Sequence, residues 1–243
     1  IKDVVWLHPD PEYPQRLAAV LSGPFRDALN RVTIPRIDAR MYLESTAERF
    51  DLIILNLPDA TTLVLNRCFT HEFLSLVKTR LNQRGVAALR LTGASNFLGG
   101  ELAYLGASAM ATFEDLFKTI ALKPGEESWL MGSQHVSPTE SPEILRDRFA
   151  AIPGAGNVYP AENLASLYPP DRITFQRSRY RDALEQTGID LLINTDQHPK
   201  ALLFTLLLAL RQAGVRGLAA HLPVFLSALL GAALMAVLSY APL

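Results

Sequence analysis

The chain has 243 residues, of which 49% are apolar, and its formal net charge at pH 7 is -1. This composition is typical of a packed globular protein. It excludes a disordered or polybasic chain, so we expect no nucleic-acid partner. The single cysteine, Cys68, excludes an intrachain disulfide and a cysteine cluster for zinc, and we expect no metal cofactor.

The first ninety residues alternate between short apolar runs and stretches with helical spacing. Strands are predicted at 3–7 (DVVWL) and 51–57 (DLIILNL), and helical segments follow them at 12–30 and 68–82. A third strand is predicted at 85–93, after a basic helix end. This alternation is typical of a doubly wound, Rossmann-like α/β sheet with helices on both faces.

The middle of the chain predicts a long helix followed by a strand pair. The helix is expected over 99–120, and two strands within 120–134 are joined by a Pro-Gly turn, which suits an antiparallel edge on a parallel sheet. The stretch 137–181 is richer in Pro and Arg. We interpret it as one helix at 141–152 followed by extended chain that covers the surface.

The last 26 residues, 218–243, carry no charged side chain. A bilayer-spanning helix needs about 20 apolar residues, and a buried core helix, the alternative, is seldom uncharged over this length. We therefore predict a C-terminal transmembrane helix. The cations on its N-terminal side favour a cytoplasmic location for the preceding domain. They are Lys200, Arg211 and Arg216.

Four segments are expected along the chain. They are a Rossmann-like domain at 1–136, a helical and extended covering segment at 137–198, an amphipathic linker helix at 199–217 and the transmembrane helix at 218–243. Ser227 and Gly231 form a small-xxx-small pair that would let another helix approach closely, as in a homo-oligomer. The chain begins at Ile1 without a methionine or signal peptide, and we expect it to be part of a longer protein.

Polar residues follow the predicted strands. In open α/β sheets, ligands bind beyond the carboxyl ends of the strands. A helix N-cap, worth about 1 kcal/mol, is the structural alternative for an Asp before a helix, and an ordinary turn is the alternative for an Asp after a strand. No glycine-rich G-x-G-x-x-G turn supports a nucleotide site. The candidates are His8, Asp10, Asp38, Asn56, Asp59, Thr92 and Ser95.

Several segments, taken in order, resemble the spermidine synthase family of aminopropyltransferases. They are HPDPE, IDARMYL, FDLIILNLPDATT and CFTHEFLSLVKTRLNQRGVAAL, and then YLGASAMATFEDLFKTIALKPGEESWLMGSQ and INTDQHPKALLF. The later segments are similar to the membrane-fused branch. The resemblance implies a methyltransferase-like Rossmann fold. It also implies transfer of an aminopropyl group from decarboxylated S-adenosylmethionine to an amine such as putrescine.

The resemblance assigns cofactor-binding roles to four residues. Asp38 would bind the adenine amino group, and Ala39 would lie against the ring. His8 stands where the family has a ribose-binding glutamate, and Asp10 matches the next acidic position of that motif. Histidine can hydrogen-bond a hydroxyl but supplies no bidentate carboxylate. The family's glycine-rich turn would lie before the first residue.

The resemblance also implies that Asn56 and Asp59 occupy the family's catalytic strand end, D-x-x-D-P. An alkylamine has a pKa of about 10 and must lose a proton before it attacks. Asn56 can orient an amine through its carbonyl oxygen but cannot act as a base. Phe69 stands where the family often has a tyrosine. These substitutions indicate weak aminopropyl transfer.

Three functions are compatible with these residues. The first is a membrane-tethered aminopropyltransferase that acts on a polyamine. The second is a non-catalytic module of a membrane protein that binds a nucleoside or a polyamine. The third is a methyltransferase that uses S-adenosylmethionine on a small molecule or lipid. Fold resemblance by itself does not decide between them.

Overall fold

A computed structural model describes residues 3–10, 12–94 and 97–212. Its helices are α1 (Tyr13–Val20), α2 (Gly23–Leu29), α3 (Ala39–Ser45), α4 (Leu63–Asn66), α5 (His71–Thr79), α6 (Gly100–Leu116), α7 (Pro142–Ala150), α8 (Pro170–Thr187), α9 (Ile189–Leu192) and α10 (Lys200–Gln212). Two 3-10 helices, Ala155–Asn157 and Ala161–Leu167, lie between α7 and α8.

Within these residues, four strands form one mixed sheet in the order β1-β2-β4-β3. The strands are β1 (Phe50–Leu55), β2 (Leu81–Thr92), β3 (Thr119–Lys123) and β4 (Glu127–Ser133). β1 and β2 are parallel, whereas β4 is antiparallel to both β2 and β3. The predicted parallel pair and the antiparallel edge are both confirmed, and the turn between β3 and β4 uses Gly125 at φ 126°.

The hydrophobic core lies between β2 and the helices α5 and α6. Alternate residues of β2, Ala87, Leu89 and Leu91, are almost fully buried, as expected for one covered face of a strand. α6 is buried along most of its length because α8 and α10 pack against it. The sheet and α6 therefore form the scaffold on which the loops at the strand ends are positioned.

The predicted first strand at 3–7 is wrong. This segment forms a single parallel bridge between Val5 and Thr33, where Trp6 N and Thr33 N donate to the backbone of the opposite segment at 2.9 Å. One bridge does not make a ladder, since strand stability comes from successive cross-strand pairs. The apolar run DVVWL lacks that pairing among the described residues.

The predicted helix at 12–30 is divided into α1 and α2. Ser22 adopts an extended conformation between them, and Pro24 lies in the first turn of α2. Proline has no backbone N–H to donate to the carbonyl four residues earlier, and its ring clashes with that carbonyl, so Pro24 favours the start of a new helix over the continuation of α1.

The predicted extended chain after α7 is also wrong in its second half, because α8 occupies Pro170–Thr187. Its buried residues have the spacing of one helix face: Ile173, Gln176, Tyr180, Ala183 and Leu184. These residues form one buried face that is apolar except for Gln176, but the many arginines on the exposed faces conceal it in the sequence.

Helix α10 lies within the range predicted for the linker helix. No helix in the part of the chain that the structure describes is both long and apolar enough to cross a membrane. The predicted transmembrane segment, 218–243, lies outside the described residues.

Candidate functional site

Asp38 forms the N-cap of α3. Its Oδ1 accepts hydrogen bonds from Arg40 N at 2.9 Å and Met41 N at 3.2 Å. The side chain is exposed, and none of the described residues donates a hydrogen bond to its Oδ2. Asp38 therefore serves as a cap and still has one oxygen with which to accept a hydrogen bond from a ligand. Ala39, the first residue of the helix, is half-buried beside it.

His8 and Asp10 form a local turn before α1. His8 Nδ1 lies 3.0 Å from Asp10 N and 2.9 Å from Asp10 O, so the backbone engages this nitrogen in either tautomer. Asp10 Oδ1 accepts from Glu12 N at 2.9 Å. The His8 ring stacks on Tyr13 with 4.3 Å between centroids. This arrangement fixes the ring plane, and Nε2 is the nitrogen left to contact a ligand hydroxyl.

Asn56 and Asp59 follow the carboxyl end of β1. Asn56 is exposed, whereas Asp59 is half-buried, and its Oδ1 accepts from Thr92 N at 3.4 Å. Thr92 is the last residue of β2, the parallel neighbour of β1. Asp59 thus connects the loop after β1 to the end of β2. Asn56 has its side-chain amide exposed at the same end of this strand pair.

A charged network connects α3 and α5 to the loop before α10. The Arg40 guanidinium donates two hydrogen bonds to the Asp196 carboxylate, at 2.7 and 3.2 Å, and the Thr70 hydroxyl donates a third at 2.8 Å. The hydrogen bond from Arg40 and that from Thr70 lower the pKa of Asp196. The loop that contains Asp196 is therefore attached to the helix that Asp38 caps.

Cys68 follows α4 and is half-buried. Burial raises the pKa of its thiol, and the negative charge of Asp38 adds to the increase. Cys68 lies two residues before Thr70, the N-cap of α5.

The predicted site residues form two local groups. His8, Asp10, Asp38 and Ala39 follow the two segments joined by the bridge between Val5 and Thr33. Asn56 and Asp59 follow the parallel pair β1 and β2. Among the described residues, no hydrogen bond or ion pair joins a member of one group directly to a member of the other. Ser95, the remaining candidate, lies outside the described residues.

Sequence reasoning gave no role to Arg40, Thr70 or Asp196. Arg40 and Asp196 are 156 residues apart in the chain, so no local pattern indicates their contact. The sequence drew attention to this region in one way only: Asp196 lies in INTDQHP, the start of the last segment that resembles the spermidine synthase family. In the described ranges, the structure contains no cluster of three or more His, Cys, Asp or Glu side chains suited to a metal ion.

Comparison with known proteins gives one sequence relative of limited extent. No protein-family model matches the chain. Over 78 residues it is 37% identical to a polyamine aminopropyltransferase of Oceanobacillus iheyensis, a stretch that covers 32% of this chain and 15% of that protein. The match therefore covers only a small part of the relative's length.

Solved structures of similar fold include spermidine synthases. One, a complex with the transition-state analogue AdoDATO, has a TM-score of 0.52 and 18% identity, covering 73% of this chain and 62% of that chain. The spermidine synthase of Thermotoga maritima has a TM-score of 0.46 and 17% identity, covering 73% and 60% of the two chains. The first match shows that the chain has an α/β, Rossmann-like fold.

Proposed function

We propose, from the chain's similarity to a polyamine aminopropyltransferase over 78 residues and to the fold of a spermidine synthase, that it is a membrane-tethered, aminopropyltransferase-like domain. In this proposal it binds decarboxylated S-adenosylmethionine and a polyamine, and the transfer between them is slow. The observation that carries the proposal is the position of Asp59. It is a half-buried carboxylate beyond the end of β1 and contacts the end of the parallel strand β2. Ligands of open α/β sheets bind at such strand ends.

The nucleoside part of the co-substrate fits the first group of residues. Asp38 Oδ2 is available to accept a hydrogen bond from an exocyclic amino group, while its Oδ1 remains in the cap. His8 Nε2 is available to a ribose hydroxyl, because Nδ1 is engaged by the backbone of Asp10. The Asp38 and Asp10 carboxylates suit a nucleoside better than a nucleotide, because they would repel a phosphate even at the N-terminus of a helix.

The transfer requires one proton to be removed. The amine nitrogen attacks the aminopropyl carbon that is bonded to the sulfonium sulfur, and the carbon–sulfur bond breaks. Its electron pair stays on the sulfur, which becomes a neutral thioether, and the attacking nitrogen becomes a secondary ammonium. The one proton is lost before this step, when the protonated amine is converted to the free base that attacks. In this chain Asp59 is the carboxylate near the end of β1. Asn56 can accept a hydrogen bond from the amine but cannot accept its proton.

A non-catalytic binding module is the second candidate function. Two substitutions favour it, Asn56 in place of the family's first catalytic aspartate and His8 in place of its ribose-binding glutamate. Both retain the capacity to hydrogen-bond a ligand, and both lose a carboxylate. The two functions predict the same ligands and differ only in turnover.

The experiment that tests the proposal restores the carboxylate. In the full-length protein, Asn56→Asp should raise aminopropyl transfer to putrescine near neutral pH by about 10² to 10⁴, the usual contribution of general-base catalysis. The gain should shrink at high pH, where free amine is abundant. Turnover is followed by mass spectrometry of the polyamine product, and ligand binding by calorimetry with decarboxylated S-adenosylmethionine, S-adenosylmethionine and several polyamines.

Asn163→Asp is the matched control, because Asn163 is an exposed asparagine in the second 3-10 helix, distant in sequence from the strand ends. It should leave turnover unchanged. The proposal is wrong if the parent protein turns over putrescine as fast as ordinary family members, or if Asn56→Asp changes neither rate nor amine affinity. Ligand binding without turnover in either protein would favour the binding module. Methyl transfer from S-adenosylmethionine would instead indicate a methyltransferase.

The membrane part of the proposal is supported by sequence. Residues 218–243 are uncharged, and cations precede them, which favours a bilayer-spanning segment with the domain on the cytoplasmic side.

A further inference from the structure

Helix α10 exposes apolar side chains on its outer face. Leu203 and Leu206, three residues apart, are 42% and 45% exposed, while Ala201 and Thr205 on the opposite face are buried. Phe204 and Leu208 pack against the core. A surface helix of a globular protein usually directs polar side chains outward. α10 is therefore apolar on both the face that the domain covers and the face that it leaves exposed.

The position of α10 on the domain is fixed by polar contacts along its length. Near its start, Ala201 N donates to Asn194 Oδ1 and Leu202 N donates to Asn66 Oδ1, both at 3.1 Å. Near its end, Arg211 Nη1 donates to Glu101 Oε2 at 2.6 Å. These contacts at both ends determine which face points outward.

Neighbouring residues extend the exposed apolar surface. α4, which contacts α10, exposes Leu63 and Val64 at 63% and 71%. Phe97 is 73% exposed, and a Cβ built on Gly99 would lie 3.7 Å from its ring and 3.6 Å from Arg211 Nη1. Phe97 is thus close to the end of α10. We call this surface the α4–α10 face; it consists of Leu63, Val64, Phe97, Leu203 and Leu206.

Cations border the α4–α10 face. Arg67 follows α4 and Lys200 begins α10, and among the described residues neither forms an ion pair. Of the carboxylates near these helices, Glu101 is paired with Arg211, Asp196 is paired with Arg40, and Glu72 accepts a hydrogen bond from Asp196 N. An apolar surface bordered by unpaired cations matches the boundary between acyl chains and anionic lipid headgroups.

We propose that the α4–α10 face lies against the headgroup region of a lipid bilayer. This inference rests on the membrane tethering proposed above. The uncharged segment begins at Leu218, six positions after the end of α10 at Gln212. Six residues span at most about 20 Å even when fully extended. The end of α10 must therefore stay near any membrane that the segment enters, and its exposed leucines are within reach of the interface.

This orientation also places the candidate site near the membrane surface. α4 begins at Leu63, four positions after Asp59, and Asn66 of α4 is hydrogen-bonded to α10. A ligand that reaches Asp59 from this side would pass close to the headgroups. An anionic surface concentrates cations, so a cationic amine would be enriched at this position.

The test uses the full-length protein in vesicles of equal parts phosphatidylcholine and phosphatidylglycerol. In a Cys68→Ser background, Leu203→Cys and Leu206→Cys are labelled separately with an environment-sensitive fluorophore. Quenching is measured with doxyl-labelled lipid and with aqueous iodide. The matched control is Ile144→Cys on α7, because Ile144 is also 45% exposed but lies away from the α4–α10 face in sequence. Flotation of the labelled vesicles shows that the protein is membrane-bound.

We expect doxyl quenching at positions 203 and 206 to be severalfold stronger than at 144, and iodide quenching to be correspondingly weaker. Equal iodide access at all three positions in protein that floats with the vesicles would overturn the inference but leave the tethering intact. Protection of positions 203 and 206 from both quenchers would show that protein, such as a second copy, covers the face, and would also overturn it. Failure to float would overturn the tethering itself.

Discussion

At the scale of single residues, the strand-end side chains have local structural roles as well as the proposed functional ones. Asp38 caps α3, Asp10 accepts from the backbone of the next turn, and Asp59 contacts Thr92 N. Each role uses one carboxylate oxygen and leaves the other for a ligand. Substitutions must therefore preserve the local hydrogen bond if they are to measure ligand binding separately.

For Asp38 the two roles can be separated with a pair of variants. Asn is as good an N-cap as Asp, so Asp38→Asn should change the free energy of unfolding by only a few tenths of a kcal/mol, whereas Asp38→Ala should lower it by about 0.5 to 2 kcal/mol. Both should weaken nucleoside binding, since neither supplies a carboxylate. Urea unfolding and calorimetry with decarboxylated S-adenosylmethionine measure the two effects. Unchanged affinity in Asp38→Asn would exclude Asp38 from the site.

The Arg40–Asp196 ion pair predicts that the free energy of unfolding depends on pH. Because Arg40 lowers the pKa of Asp196 in the folded state, the pair stabilises the fold above the ordinary carboxylate pKa. This contribution is lost as pH falls through the lowered pKa. Asp196 is partly exposed, so we expect an effect in the range of surface ion pairs, about 0.2 to 1 kcal/mol.

Urea midpoints of the parent and of Asp196→Asn, measured from neutral pH to acid, test this dependence. The difference between them should shrink as pH falls. Asp190→Asn is the control, because Asp190 is exposed and forms no ion pair within the described ranges. A difference in midpoint that stays constant with pH would contradict an electrostatic contribution from the pair.

At the scale of elements, close packing between α6 and α8 fixes the position of the second helix. A Cβ built on Gly106 of α6 would lie 2.1 Å from the ring of Tyr180 on α8. Tyr180 is fully buried, and burial raises its pKa to about 12, so the phenol stays neutral. Its hydroxyl accepts a hydrogen bond from Gln176 Nε2 at 2.6 Å. The helices can approach this closely because position 106 has no side chain.

Gly106→Ala should therefore destabilise the protein, although alanine is the better helix former. Overpacking of a buried contact costs about 1 to 3 kcal/mol. Gly100→Ala in the first turn of the same helix is the control, because a Cβ there meets nothing within 4 Å. It should leave stability unchanged or raise it by up to about 1 kcal/mol. If Gly106→Ala and Gly100→Ala changed the melting temperature equally, α8 would have moved away from position 106 without a loss of stability.

At the scale of the whole molecule, the Rossmann-like domain and its last described helix form one packed unit. α10 contacts both α6 and α4, and the loop before it is tied to α3 and α5 through Asp196. A segment that enters a membrane directly after α10 would therefore orient the whole domain, including the candidate site.

The membrane prediction itself depends on residues 218–243. Leu230→Arg near the centre of this segment should reduce insertion, because a central arginine costs about 2.5 to 3.5 kcal/mol on insertion scales. A glycosylation acceptor added after Leu243 reports on translocation, and Leu230→Ala serves as the control. Equal glycosylation of the two variants, or no glycosylation of the parent, would count against a spanning segment.

Elements whose hydrophobic pattern is local could be predicted from the sequence. The apolar run Leu52–Leu55 predicted β1, and the Pro-Gly turn between two apolar runs predicted the pairing of β3 with β4. The helical spacing after Gly99 predicted α6, although the helix ends at Leu116, before the predicted end. Within the candidate site, the position of Asp59 just beyond β1 follows from the same local pattern, because polar residues directly after an apolar run mark the end of a strand. The burial of β1 did not follow from it: β1 is the edge strand of the described sheet, and Leu52 and Ile54 are more than half exposed.

Contacts between distant segments were decided by the tertiary structure. The sequence by itself determined the α/β class and the order of polar residues at the strand ends, because hydrophobic periodicity and turn chemistry act over a few residues. Only the tertiary structure showed that DVVWL lacks a ladder, that α8 uses Tyr180 to pack on Gly106, and that Arg40 meets Asp196 across 156 residues. Such contacts depend on which surfaces remain to be buried once the local elements have formed, and no short stretch of sequence contains that information.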